Sequence, residues 1–212
     1  SSGPSLIVPP SGLSPPVVLD VVHYLARLIA AEYGLQSRLP AVQLCTSRLL
    51  LNLLQPTIWP TFVERYAAKD MAFAQNQRLL RQLHPAKLGV EARFFGQGTG
   101  SVQVAHRPNE PAAPMPPPPA AAALILADFC FLVSPVDQLL CLYRAVGAVH
   151  RYAGAAANVE SNAIGADSLM PLLVWTVCHA STPCAFAALE YCKQLSSKEL
   201  TTSELGYYLA CL

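Results

Sequence analysis

Apolar residues recur three and four positions apart along most of the chain, which is the period of an α-helix. No stretch alternates apolar and polar positions in the manner of a half-buried β-strand. The pattern therefore predicts an all-α fold, in which layers of helices bury their apolar stripes against one another. The first predicted stripe consists of Val18, Val21, Val22, Leu25, Leu28 and Ile29, and the second of Leu44, Leu49, Leu50 and Leu53.

Prolines and small polar residues mark the predicted helix boundaries. Proline fits the first turn of a helix, where its missing N–H would be unpaired anyway, but it disrupts a helix interior. Pro56 is therefore predicted to end the second helix and Pro60 to begin a third, while Asp70 is predicted to cap a fourth. Ser134 and Pro135 predict another cap and helix start. The predicted helices run over about residues 17–33, 40–54, 61–68, 70–83, 120–132, 135–152, 168–180, 184–195 and 202–212.

Two stretches are too rich in proline, glycine and serine to join a helical core. Residues 1–16 are predicted to be a linker and residues 95–119 a disordered insertion, because neither buries enough apolar area to offset its ordering entropy. The polyproline run at 116–119 is compatible with a docking ligand, although a plain spacer is favoured. The remaining predicted domains are N-terminal supporting helices at 17–58 and a main domain at 59–212. We expect a piece of a longer protein that stops within the last helix of the main domain.

Composition and charge narrow the classes of function. Of the 212 residues, 53% are hydrophobic and 13% charged, and the formal net charge is +1. This balance argues against nucleic acid as a partner, because a polyanion is bound through a strongly basic surface. The longest apolar run, 120–133, is shorter than the roughly 18 residues of a spanning helix, so we expect a cytoplasmic protein without direct membrane insertion. The seven cysteines are odd in number and lie in helical patterns, which indicates buried thiols in a reducing compartment.

The candidate chemistry lies in residues 165–173, where Asp167 precedes an apolar helix. One interpretation is structural: Asp167 caps the helix, and Pro171 falls in a turn whose N–H groups lack partners anyway. The other interpretation is an exposed functional acid, and the two are compatible. Glu204 has a structural interpretation too, because Thr201 and Glu204 have the spacing of a capping box.

Tyr207 and Tyr208 are neighbours on the last predicted helix. Their side chains therefore point about 100° apart, so that one can pack inward while the other faces outward. An exposed tyrosine beside an apolar groove is a common anchor for a protein partner.

No pattern indicates a metal, a cofactor or covalent catalysis. The set Cys178, His179, Cys184 and Cys192 matches no compact zinc spacing, and no cysteine lies beside an acid–base pair. The glycine-rich residues 96–100 lack the following helix of a nucleotide-binding loop. We therefore expect neither a metal ion nor a cofactor.

Four stretches of the C-terminal half occur together in an order known from one family. They are SPVDQLLCL at 134–142, GADSLMPLLV at 165–174, Glu190 with Tyr191, and SELGYYL at 203–209. They resemble the motifs P-x-x-K-L-x-C-L, A-D-D-x-L-P-x-L-x-Y, x-Y-I and G-E-x-x-Y-Y-L-T of the vacuolar protein sorting nine (Vps-nine) domain family. The resemblance covers roughly residues 120–212 and, more weakly, residues 60–95.

The resemblance implies a fold, an activity and a site. Members of this family are layered all-α domains, usually supported by an N-terminal helical bundle, and act as guanine nucleotide exchange factors. It implies that Asp167 reaches into the nucleotide pocket of a GTPase, where a carboxylate pairs with the phosphate-binding lysine and disturbs Mg²⁺. Pro171 is implied to lie on the groove that receives the GTPase switch regions, and Tyr207 and Glu204 to contact the partner.

The same resemblance implies a partner and a location. The partner is an endosomal Rab GTPase of the Rab five subfamily, in its GDP-bound and nucleotide-free states. The location is the cytoplasm, peripheral to endosomal membranes, and the process is endocytosis and vesicle-mediated transport. The chain then regulates a GTPase rather than making or breaking a covalent bond itself.

Three positions depart from the family motifs. Ser168 stands where the motif has a second acid, Ser203 where it has glycine, and Ala210 where it has threonine. These departures support a second hypothesis, a Rab-binding or scaffold module with weak or no exchange activity that uses the same groove. The sequence is compatible with both hypotheses.

Overall fold

The computed structural model describes residues 14–95, 117–160 and 164–211, and every regular element in these ranges is helical. The prediction of an all-α fold with N-terminal supporting helices is confirmed. None of the helices in these ranges combines the length and the apolar content needed to cross a lipid bilayer. Residues 1–13 of the predicted linker and 96–116 of the predicted insertion lie outside the described residues. The helices are α1 (Pro15–Glu32), α2 (Leu39–Leu80), α3 (Ala120–Ala127), α4 (Pro135–Ala157), α5 (Ala166–His179), α6 (Ala185–Leu195), α7 (Lys198–Thr201) and α8 (Glu204–Cys211), with 3₁₀ turns at Gln36–Arg38, Pro85–Leu88, Ala92–Phe94 and Asp128–Phe131.

A single helix of 42 residues, α2, takes the place of three predicted helices. Pro56 and Pro60 lie inside it, so the prediction that Pro56 ends a helix was wrong. A proline in a helix interior costs about 3 kcal/mol, and burial on both sides of the prolines offsets this cost. Leu51, Ile58 and Phe62 are buried in one cluster with residues of α1 and α6. Tertiary packing therefore overrides the local tendency to break the helix.

Replacing Pro56 by alanine is expected to raise the free energy of unfolding by about 1–2 kcal/mol. Alanine restores an N–H donor where proline costs about 3 kcal/mol, while the unfolded chain loses a restriction worth up to about 1 kcal/mol. Pro56 is exposed, so little packing is lost. Urea denaturation of Pro56→Ala beside the wild type measures the difference, and a lower midpoint for the variant would contradict this account.

The buried face of α1 differs in part from the predicted stripe. Val18 and Val22 are buried as predicted, but the row continues through Ala26 and Ala30 at four-residue spacing. Periodicity identified the apolar residues of the helix without deciding which of two overlapping rows faces the core. The predicted stripe members Val21, Leu28 and Ile29 of α1, and Leu49 and Leu53 of α2, are exposed.

Two clusters of buried side chains form the core. The larger one joins α3, α4, α5 and α8, and it contains Trp175 of α5 and Leu209 of α8. The smaller one joins α1, α2 and α6 around Tyr191, whose ring lies edge-on to Trp59 at 5.7 Å and to Phe62 at 5.4 Å. The helices that carry the candidate site residues, α5 and α8, therefore share one core.

Side chains from the last turn of α2 and from the residue that follows it bind the last carbonyl groups of α5. The Nε2 atom of Gln77 donates to the carbonyl oxygens of Val177 at 2.6 Å and Ala180 at 2.9 Å. The Nε atom of Arg81 donates to the carbonyl oxygen of Cys178 at 2.9 Å. The last carbonyls of a helix have no N–H partner within it, and a cation is favoured at that end. These bonds therefore fix α5 to α2 at the end opposite Asp167.

Asp70 caps a helix, although not the predicted one. It lies inside α2, and its carboxylate accepts hydrogen bonds from the N–H groups of Phe186 at 2.7 Å and Ala187 at 3.4 Å in the first turn of α6. Cys184, at the cap position of α6, makes no side-chain capping bond. The prediction that Asp70 begins a fourth helix was wrong, because a cap preference does not tell which helix end in space the side chain serves.

Most of the described cysteines are buried. Cys130, Cys141, Cys178 and Cys192 are buried and free, as predicted, whereas Cys45 is exposed. Burial raises the pKa of the Cys192 thiol to about 12 and those of Cys130 and Cys141 to about 11, so these thiols are not nucleophiles at neutral pH. In the part of the chain that the structure describes, no group of three or more His, Cys, Asp or Glu side chains is placed to hold a metal ion.

Candidate functional site

Asp167 lies in the first turn of α5 rather than at its cap. The helix begins at Ala166, and Gly165 occupies the cap position without a side-chain hydrogen bond. The interpretation of Asp167 as the helix cap was therefore wrong, because α5 begins earlier than the apolar pattern suggested. Asp167 is exposed, and its carboxylate makes no hydrogen bond or ion pair with the described residues. The fold thus leaves a carboxylate at the N-terminal end of α5 whose only structural contribution is its attraction to the helix dipole.

Pro171 lies one turn further along, in the interior of α5. This position is beyond the first turn, so the interpretation that its missing N–H costs nothing was wrong. The carbonyl of Asp167, four residues earlier, lacks its helical donor as a result. Gly89 faces the proline: a Cβ atom added to Gly89 would lie 3.6 Å from the Cγ of Pro171, and its φ of +85° favours glycine. The segment that follows the Pro85–Leu88 turn therefore packs on Pro171.

An apolar groove between α2 and α5 continues the face on which Asp167 and Pro171 lie. Helix positions 167, 171 and 174 fall within about 60° of one another, so Val174 shares that face. Val174 is 42% exposed, and together with Phe73 and Leu80 of α2 it lines a groove of about 280 Å³. The sequence could not reveal this groove, because its two walls come from distant parts of the chain.

Glu204 is the first residue of α8, and Thr201 belongs to α7, so the predicted capping box is not formed. The Thr201 hydroxyl instead donates to the carbonyl oxygen of Lys198 at 3.0 Å. The exposed carboxylate of Glu204 accepts a hydrogen bond from the Tyr208 hydroxyl at 2.9 Å. Burial, and then this bond, raises the pKa of Tyr208 to about 12. Both residues line a groove of about 300 Å³ between α4 and α8, to which α4 contributes Arg144.

Tyr207 is the outward-facing member of the tyrosine pair. It is 55% exposed, whereas Tyr208 packs against the main core, and this is the division that the helical spacing predicts. Just before Tyr207, the backbone at Gly206 lies close to the backbone of Thr201. A Cβ atom added to Gly206 would lie 1.9 Å from the carbonyl oxygen of Thr201, so no side chain fits at Gly206.

The candidate residues of α5 and those of α8 are connected through α4. Both helices pack on α4, and Leu169 of α5 and Leu209 of α8 belong to one cluster. The rings of Tyr208 and Tyr143 of α4 lie 6.3 Å apart. The predicted site residues therefore form two pairs, one on α5 and one on α8, supported by the same core.

A hydrogen-bonded network that sequence reasoning missed contacts the first turn of α5. The Ser168 hydroxyl donates to the carboxylate of Glu91, and Arg93 donates to Ser168 Oγ at 3.1 Å and pairs with Glu91 at 3.0 Å. The bond from Ser168, followed by that from Arg93, holds the pKa of the Glu91 carboxyl below its usual value. No local signal could have found this network, because Glu91 and Arg93 lie in an irregular segment far from Ser168 along the chain.

Comparison with known families accounts for the second half of the chain. Residues 121–212 match the family model of the Vacuolar sorting protein 9 (VPS9) domain. This segment belongs to the VPS9 family. None of the curated proteins matches the chain. The resemblance inferred from the sequence motifs is therefore confirmed for the VPS9 segment.

A VPS9 domain implies guanine nucleotide exchange on Rab GTPases in general. The VPS9 segment therefore implies a Rab GTPase as the partner and regulation of that GTPase as the activity. The weaker resemblance over residues 60–95 lies outside the matched segment, so the domain boundary at 59 stays a prediction. The roles of the four candidate site residues also stay predictions: Asp167, Pro171, Glu204 and Tyr207.

Proposed function

We propose that the chain is a guanine nucleotide exchange factor that promotes GDP release from endosomal Rab GTPases of the Rab five subfamily, in endocytic vesicle trafficking. The observation that carries the proposal is the exposed carboxylate of Asp167, which has no partner among the described residues. It lies one turn from Pro171 on a face that continues into an apolar groove. An exposed acid without a hydrogen-bonding partner among the described residues, on a helix face that continues into an apolar groove, suits a residue that acts on a partner protein.

The proposed mechanism is electrostatic competition. A carboxylate brought close to the phosphate-binding lysine of the GTPase pairs with it, competes with the nucleotide phosphates and disturbs the Mg²⁺ that they hold. Pro171 and the groove receive the switch regions, while Tyr207 and Glu204 contact the partner from α8. The chain binds the GDP-bound and then the nucleotide-free GTPase, makes or breaks no covalent bond and needs no cofactor. It acts in the cytoplasm, recruited peripherally to endosomal membranes.

A GDP-release panel tests both the activity and the subfamily. Each Rab is loaded with fluorescent GDP, and its release is followed with and without the complete chain. We expect faster release from members of the Rab five subfamily and the intrinsic rate from Rabs of other compartments. Faster GDP release from Rabs of other compartments, with none from the Rab five subfamily, would reject the proposed subfamily. An unchanged release rate for every Rab would reject exchange activity.

A second candidate function is a Rab-binding or scaffold module without effective exchange. The departures at Ser168, Ser203 and Ala210 favour it, because each removes a group that the family motif supplies. This candidate predicts a Rab affinity that does not depend on the bound nucleotide, with no acceleration of release. Calorimetric titration against GDP-loaded and nucleotide-free Rab separates the two candidates.

A further inference from the structure

One segment, residues 89–94, meets the beginning of α5 at two points. Gly89 lies against the ring of Pro171. Two residues further on, Glu91 accepts the hydrogen bond of the Ser168 hydroxyl. The first point fixes the second turn of α5 at Pro171, and the other fixes the first turn at Ser168, the residue directly after Asp167.

The same segment is held firmly on its other side. Val90 and Phe94 are 3% and 1% exposed and belong to the main core. The Tyr152 hydroxyl of α4 donates to the carbonyl oxygen of Phe94 at 3.1 Å, and the guanidinium of Arg93 lies 4.7 Å from the centre of the Phe94 ring. The segment is therefore anchored in the core, and through its contacts it fixes the N-terminal end of α5 relative to that core.

The charges of the network cancel. Arg93 pairs with both carboxylate oxygens of Glu91, at 3.0 Å from Nε and 3.1 Å from Nη2. Glu91 thus offers no net negative charge to a partner, although its side chain is 47% exposed. What the network supplies is geometry, because a charge-assisted bond fixes the Ser168 hydroxyl at a helix turn that has no side-chain cap of its own.

From this geometry we infer that Glu91 is a positioning residue for exchange: through Ser168 it fixes the first turn of α5 and thereby the direction of the Asp167 carboxylate. The inference rests on the proposed function, in which Asp167 enters the nucleotide pocket. It extends the functional unit to residues that precede the VPS9 segment. It also gives Ser168, which departs from the family motif, a role within this chain.

Kinetic comparison of Glu91→Ala and Glu91→Gln with the wild type tests the inference. Glutamine still accepts the bond of the Ser168 hydroxyl but without the negative charge, so Glu91→Gln is expected to lose less of the exchange rate than Glu91→Ala. Glu91→Ala is expected to lower the maximal rate of GDP release on the order of tenfold, within the roughly hundredfold that a misplacement of 1 Å can cost. The concentration giving half-maximal release should not change, because Pro171 and Tyr207 still contact the GTPase.

Ser168→Ala, and the double variant that combines it with Glu91→Ala, show whether Glu91 and Ser168 act as one unit. Ser168→Ala is expected to match Glu91→Ala, and the double variant to be no slower than either single variant. Asp137→Asn breaks the half-buried ion pair of Asp137 with Arg48 at the contact of α2 and α4, and it serves as a matched control with unchanged exchange. Equal losses in Glu91→Gln and Glu91→Ala, or full activity in Glu91→Ala, would overturn the inference.

A second measurement does not depend on exchange activity. The amide of Leu169 donates to the carbonyl oxygen of Gly165 in the first turn of α5. In Glu91→Ala we expect this amide to exchange with deuterium faster, while amides of α4 keep their protection. Unchanged protection would overturn positioning even if the chain released no GDP. An active wild type with a fully active Glu91→Ala would overturn this inference alone, whereas an inactive wild type would reject the proposed function.

Discussion

An Asp167→Ala variant is expected to lose all acceleration of GDP release while its thermal melt stays close to that of the wild type. In the proposed mechanism the carboxylate competes with the nucleotide phosphates, so without it the GTPase releases GDP at its intrinsic rate. The fold does not depend on this carboxylate, which has no partner among the described residues. Only its attraction to the helix dipole is lost, worth less than about 1 kcal/mol. Fluorescent-GDP release and a melt of the same sample measure both effects.

Asp167→Asn separates the charge of this side chain from its shape. Asparagine keeps the size and loses the negative charge, so it is expected to be as inactive as alanine. Asp20 is an exposed aspartate on α1, far along the chain from α5, and Asp20→Asn is the matched control with full activity. An Asp167→Asn variant that exchanges as fast as the wild type would contradict electrostatic competition.

The helical class and the order of the helices could be predicted because apolar periodicity is a local property. The errors arose where distant segments decide the outcome. Pro56 has the local properties of a helix stop, yet its helix continues because Leu51 and Phe62 are buried against α1 and α6. Asp70 has the local properties of a cap, yet the helix end that it serves is 116 positions away along the chain.

The candidate site could be predicted only in part, because some of its residues are neighbours in sequence and others come from distant segments. Asp167 and Pro171 lie within one short motif, so sequence alone places them on one helix, one turn apart. The interpretation of Asp167 as a cap and of Pro171 as a first-turn residue depended on where α5 begins. Helix boundaries are the least certain part of a pattern. The network of Glu91 and Arg93 with Ser168 joins segments 77 positions apart and has no local signature.

An Asp70→Ala variant is expected to lower the free energy of unfolding by about 2–3 kcal/mol. Its carboxylate caps the first turn of α6, and such a cap is worth up to about 2 kcal/mol. Removing it also leaves the N–H of Ala187 unpaired at a fully buried residue, which costs about 1–3 kcal/mol. For a chain of this size the melting temperature should fall by roughly 4–12 °C, which differential scanning calorimetry measures.

The exposed Asp20→Ala is the control for Asp70→Ala, and it should stay within about 0.5 kcal/mol of the wild type. An Asp70→Ala variant as stable as this control would show that the bonds to α6 do not stabilise the fold.

Because Asp70 caps α6 and does not contact the N-terminal end of α5, the folded variant should still exchange GDP at low temperature. Asp70→Ala and Asp167→Ala are therefore expected to fail in opposite ways, the first in stability alone and the second in exchange alone. A loss of exchange in well-folded Asp70→Ala would mean that α2 positions the site more directly than its contacts with α5 and α6 imply.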